Sequence, residues 1–176
     1  QGISMGSKIT LSKSVATVKV SEELLGRVVD GLGNLIDEKT ELENVVEVPL
    51  YNEVLNPLKR DPIRKPLDVG VRAINAALTV GQGQRVAILA GSGVGKSVLM
   101  GMMAKQTEAD INVIALIGER GREVRGFIEN ELGPEGMKKT VVVCVTSDQS
   151  PLLRMRGAFA ATAIAEHFAK SGRQVL

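Results

Sequence analysis

The stretch Arg85-Val-Ala-Ile-Leu-Ala90-Gly-Ser-Gly-Val-Gly-Lys96-Ser97 decides the fold class. An apolar run of strand type feeds a glycine-rich loop, which ends in Gly95-Lys96-Ser97 and opens into a helical pattern. Strand, loop and helix in that order are the context a phosphate-binding loop requires. The glycines let backbone N–H groups approach anionic oxygens with no Cβ in the way, and the start of the helix adds partial positive charge. Lys96 is placed to reach the β- and γ-phosphates of a nucleotide, and the Ser97 hydroxyl to hold Mg²⁺. The expected phosphate-binding set is Ala90, Gly91, Ser92, Gly93, Val94, Gly95, Lys96, Ser97 and Val98, with ATP and Mg²⁺ as the ligands. Ala90 replaces the motif's first glycine, which is tolerable where φ is negative.

Composition sets the outer bounds. A chain of 176 residues fits one domain with a real core, and 44% hydrophobic with 24% charged residues is ordinary for a globular protein. No apolar run reaches the roughly 18 residues of a membrane span, and the N-terminus carries no apolar signal block. The single cysteine, Cys144, lies within Thr140-Val-Val-Val-Cys-Val145 and reads as a small core hydrophobe. These features fit the cytoplasm. A net charge of +2, with three Phe, one Tyr and no Trp, offers neither the field nor the stacking surface of a nucleic-acid binder.

Residues 1–50 read as a β-rich N-terminal unit, with a strand in Ser14–Val20 and a turn at Asp30-Gly-Leu-Gly33. Closely spaced Pro49, Pro57, Pro62 and Pro66 mark residues 51–67 as an extended linker. In residues 68–176 strand and helix alternate, which means an α/β fold with a parallel sheet flanked by helices. Asp68 is expected to cap a helix that presents Val71, Ile74 and Leu78 on one face. Strands are predicted at 85–90, 111–117, 140–145 and from Gln174; helices at 96–106, 122–132 and 151–170. The second of these helices is expected to stop at Gly133-Pro134, and Phe159 and Phe168 of the third to join the core.

In open α/β sheets ligands bind beyond the carboxyl ends of the strands. Three loops leave those ends: 91–96, then Gly118-Glu119-Arg120-Gly121, then Thr146-Ser147-Asp148-Gln149. In the second, Glu119 can orient or deprotonate an attacking water and Arg120 can fix the carboxylate or a released phosphate. A surface turn with a solvated ion pair explains the same residues equally well. Asp148 is expected to cap the helix at Pro151, with a position near Mg²⁺ as the other option. Arg154 and Arg156 are expected on a solvated face, with an anion or a neighbouring subunit as alternatives. His167 reads as an exposed helix residue.

Several motifs in fixed order add a resemblance. Leu25-Gly-Arg-Val-Val-Asp-Gly-Leu-Gly33, Asp61-Pro-Ile-Arg64, Gly70-Val-Arg-Ala-Ile-Asn75, the loop at 90–97, Gly118-Glu-Arg-Gly-Arg-Glu123 and Phe127-Ile-Glu-Asn130 resemble the type III protein export ATPases, relatives of the rotary ATPase catalytic subunit. Ser150-Pro-Leu-Leu-Arg-Met-Arg-Gly-Ala158 is most similar to the flagellum-specific members. The resemblance implies a P-loop NTPase domain of the RecA-like type, preceded by part of an N-terminal β-barrel. It implies cytoplasmic ATP hydrolysis by a hexamer that serves type III export, with export-apparatus components, substrates or chaperones as partners and at most peripheral membrane contact. Ala90 is common in that family, and Glu119 matches its catalytic glutamate. Lys96 and Arg120, read from the loop and its neighbour, complete the expected catalytic set.

Family members are longer. The resemblance places their metal-positioning aspartate, adenine-contacting aromatic and trans-acting arginine beyond Leu176, so this 176-residue piece is expected to turn over little ATP by itself. A rotary ATPase subunit and a nucleotide-binding module without hydrolysis are the alternatives, and a hexameric RNA translocase is disfavoured by charge and aromatic content.

Overall fold

The computed structural model describes residues 4–8, 10–11, 15–37, 40–52, 56–91 and 93–176. At its centre lies β5 (Thr140–Val145), all six residues of which are buried. Its β-branched run carries no polar alternation because both faces of the strand are covered. β4 (Asn112–Ile117) pairs with β5 in parallel, Asn112 opposite Thr140 and Ile117 opposite Val145. On the other side of β5 lies β2 (Val28–Val29), also parallel. At the outer edge of β4, Leu176 donates to the Ile111 carbonyl and accepts from Val113, both at 2.9 Å. The strand predicted from Gln174 thus begins in register with the sheet.

One face of the sheet is covered by α5 (Pro151–Lys170) and by the antiparallel pair β1 (Thr17–Val20) and β3 (Val46–Pro49). Ala160, Ile164 and Phe168 of α5 meet Val18, Val20, Val29, Val141 and Val143 there. The other face carries α2 (Lys96–Gln106) and, in succession, α3 (Gly121–Gly126), a π-helical segment Phe127–Leu132 and α4 (Gly133–Met137). Ala104, Val124, Phe127 and Leu132 pack on Ile114, Leu116, Val142 and Cys144. Cys144 is the buried hydrophobe the sequence predicts, and burial, with the charge of Asp148, pushes its thiol pKa up. Among the described residues no helix is long and apolar enough to cross a membrane.

Several expectations need correction. Residues 85–90 form no strand ladder among the described residues, and Val86 and Leu89 are 55% and 92% exposed. The start of the β4 edge is taken by 174–176, and an apolar cavity of about 210 Å³, lined by Ile88, Met103 and Leu176 among others, separates 85–90 from the sheet. Within the first 50 residues, Val28–Val29 pairs with β5 of the parallel sheet, and Leu24 and Leu50 belong to the α5 core. β1 starts at Thr17; Ser14 lies outside the described residues.

Asp68 does not cap the short α1 (Arg72–Ala77). Val71 holds the N-cap position, while Asp68 accepts from the Gly70 amide and the Asn75 side chain, each at 2.6 Å. Leu78 is 73% exposed and leaves the predicted apolar face. The helical stretch from Gly121 ends at Leu132, as the sequence predicts, where Gly133 takes φ +60° and ψ 178°. A widened π turn lets Leu132 stay buried, and Pro134 serves as a first-turn residue of α4. In α5, Phe168 is fully buried, but Phe159 turns outward against Tyr51, ring centroids 4.8 Å apart. His167 is half-buried beside Phe168.

Candidate functional site

Gly95 sits at the N-cap of α2 with φ +96°, and Gly93 has φ +76°, the left-handed values that a side chain disfavours. No heavy atom lies within 4 Å of a Cβ built on Gly91, Gly93 or Gly95, so the loop is open to a ligand. No side chain caps α2, and its first amides stay free for an anion. Ala90 is not among the non-glycine residues with positive φ, so the condition for alanine at that position is met.

Opposite this loop, β4 ends at Ile117 and the chain turns at Gly118, whose φ is +77°. The Gly118 amide donates to the Val145 carbonyl at 2.7 Å, and the Ser147 amide donates to the Glu119 carbonyl at 3.0 Å. These bonds fix the turn to the end of β5. Half-buried Glu119 faces the phosphate loop across a cavity of about 560 Å³, which Gly91, Gly93, Gly95, Lys96, Ser97 and Val98 also line. An adjoining cavity of about 250 Å³ again brings Lys96, Ser97 and Glu119 together.

A model of the ATP synthase alpha/beta family, nucleotide-binding domain, matches residues 70–176. The chain belongs to the ATP synthase alpha/beta family. Within that family it is 53% identical to the flagellum-specific ATP synthase of Bacillus subtilis, over 99% of this chain and 40% of the relative. It is 57% identical to the flagellum-specific ATP synthase of Salmonella typhimurium, over 87% of this chain and 34% of that relative. The chain thus spans about two fifths of the length of such relatives or less.

Among solved structures, the assembled ATPase EscN of the enteropathogenic E. coli type III secretion system superposes with a TM-score of 0.87. It is 44% identical to this chain and covers 99% of it, 42% of EscN being matched. A prototypical ATPase from the type III secretion system of pathogenic bacteria gives a TM-score of 0.86 at 46% identity, with 91% of this chain and 46% of that one covered.

The predicted residues divide by place. Gly91, Gly93, Gly95, Lys96, Ser97, Val98 and Glu119 converge on one cavity. Ala90 and Val94 are exposed and do not line it, and Ser92 lies outside the described residues. Arg120 turns to Glu123, a 3.6 Å ion pair with the two side chains 67% and 48% exposed, a pairing of little energetic weight. Asp148 does not cap α5. Ser150 does, accepting from the Leu153 amide at 3.3 Å. The Thr146 hydroxyl instead holds the Asp148 carboxyl below the usual carboxylate range. Arg154 and Arg156 are half-buried rather than solvated, each with a buried Nε.

Sequence reasoning gave no role to Glu123, Asn130 and Glu131, which also line the larger cavity. Their spacing was the available signal. Positions 123, 127, 130 and 131 fall on one side of a helix.

Proposed function

We propose that this chain is the nucleotide-binding core of a type III protein export ATPase, most similar to the flagellar members. The observation that carries this reading is that Lys96, Ser97 and Glu119 share one cavity at the N-terminal end of α2. Phosphoryl transfer to water needs positioning and charge neutralisation more than covalent chemistry. The loop amides and Lys96 bind the β- and γ-phosphates. Glu119 orients the attacking water and takes its proton, and Arg120, on the adjoining turn, is available to the departing phosphate.

The donor set also fits Mg²⁺. Ser97 offers a hydroxyl beside Lys96, while Glu119, Glu123 and Glu131 face a site meant for a polyanion, an arrangement that calls for a divalent cation. Ser97 would be the chain's own ligand to Mg²⁺, its hydroxyl lining the cavity beside Lys96. The metal's role is to neutralise charge on the β- and γ-oxygens.

In the full-length protein this chemistry is carried out by a hexamer in the cytoplasm that energises export of flagellar or related substrates, in contact with export-apparatus components and chaperones. Its relatives' names and the assembled form of EscN support that reading.

The test is phosphate release and ATP affinity of the full-length protein beside its Lys96→Ala variant. Loss of one charge-assisted contact weakens binding by about tenfold to a hundredfold and abolishes turnover. Equal affinity in both proteins contradicts the phosphate-loop assignment. Lysine-dependent binding with no turnover in the wild type would make the protein a nucleotide-gated module instead.

A further inference from the structure

Arg154 stands in the first turn of α5, where a cation opposes the helix dipole, so helix stability does not explain it. Its Nε is buried without a hydrogen-bond partner, and among the described residues no ion pair engages its guanidinium. A buried N–H left without a partner is costly unless another state satisfies it. Its Nη1 lies 4.0 Å from where a Cβ on Gly118 would stand. Gly118 immediately precedes Glu119. The backbone on both sides of that turn is tied to Val145 and Ser147, yet among the described residues no hydrogen bond or ion pair holds the Glu119 carboxylate. An unpaired guanidinium and an unheld carboxylate therefore flank the same glycine.

We propose that Arg154 is the positioning residue for Glu119. Its donors engage the 118–120 turn and hold the Glu119 carboxylate aimed at the phosphate cavity. Arg154 does not line that cavity, so it acts through Glu119 and not on the nucleotide. Arg156, about 200° further round the helix, faces away and donates to the Thr17 carbonyl at 3.4 Å. The inference rests on the proposed role of Glu119 in ATP hydrolysis.

The test uses Arg154→Ala and Arg154→Lys in the full-length protein, each alone and combined with Glu119→Gln. Turnover, KM and hydrogen exchange of the 118–123 backbone are measured. Arg154→Ala is expected to lower kcat by roughly tenfold to a hundredfold, the scale of a misplaced catalytic group, with little change in KM. In the Glu119→Gln background it should cost nothing further, since the two residues act as one unit. Exchange across 118–123 should quicken. Arg154→Lys keeps the charge and the stem, so it should fold and recover part of kcat without the guanidinium's planar fork. An unchanged kcat, or the same fold-loss in both backgrounds, overturns the proposal. Should the wild type show no Lys96-dependent turnover, the proposed function fails on that arm alone. Unchanged 118–123 protection in both Arg154 variants would then overturn the positioning role separately.

Discussion

Lys96 and Glu119 lie 23 positions apart in the chain, and each follows a glycine in the left-handed region, Gly95 at the N-cap of α2 and Gly118 at the end of β4. The carboxylate at Asp68 works differently, as a brace. It is exposed, and hydrogen bonds from the Gly70 amide, then the Asn75 side chain, hold it below the usual carboxylate range. A group with a depressed folded pKa contributes stability above its unfolded value of about 3.9, and loses it as pH falls through the folded value. Asp68→Asn should therefore destabilise the protein near neutrality, with the difference from wild type shrinking steadily below about pH 4. Urea unfolding of both proteins across that range measures it. A difference that grows in acid would mean that the carboxylate plays no such part. The N-cap rule placed the helix start at Asp68, but Val71 holds that position and Asp68 takes other bonds. The Asx turn to Gly70 satisfies the carboxylate before the helix begins.

At the scale of elements, α2 and the π-helical segment form the clamp that sets the loop against Glu119. A Cβ on Gly101 would lie 2.8 Å from the Glu131 Cβ and 3.0 Å from its carbonyl oxygen. Gly101→Ala gains about 1 kcal/mol of helix propensity, but overpacking against a backbone atom costs roughly 1–3 kcal/mol. Because Glu131 cannot rotate its own carbonyl away, the clash wins. The variant should be less stable by about 1 kcal/mol and bind ATP more weakly, read by thermal melting and calorimetry. A variant more stable than wild type would mean that the two helices are not in close contact. The periodic apolar stripe made this helix legible from Arg122 onward, and the unbroken runs at 111–117 and 140–145 made the central strands legible. The π turn was not, since one additional residue per turn leaves no mark in composition. Nor was the unpaired state of 85–90, because an apolar run announces a strand without naming the neighbour it needs.

At the scale of the molecule, the sheet is the frame: the Glu119 turn leaves the end of β4, Lys96 opens α2 packed on one face, and α5 with the N-terminal strands covers the other. The alternation of elements made that frame readable. The edge strand Val28–Val29 escaped notice because two residues are too few for any periodicity. It is fixed by the buried Arg27–Asp37 ion pair at 2.7 Å, with Asp37 also accepting from the Val28 amide at 3.2 Å. The central claim is that this frame brings a phosphate-binding lysine and a water-activating carboxylate into one cavity. Glu119→Gln in the full-length protein tests it most directly, because size and hydrogen-bonding capacity survive while the charge does not. Steady-state phosphate release should fall by at least about a hundredfold, with ATP affinity nearly unchanged by calorimetry. Near-normal turnover in that variant would contradict the account, leaving Glu119 a turn residue beside a nucleotide it does not act upon.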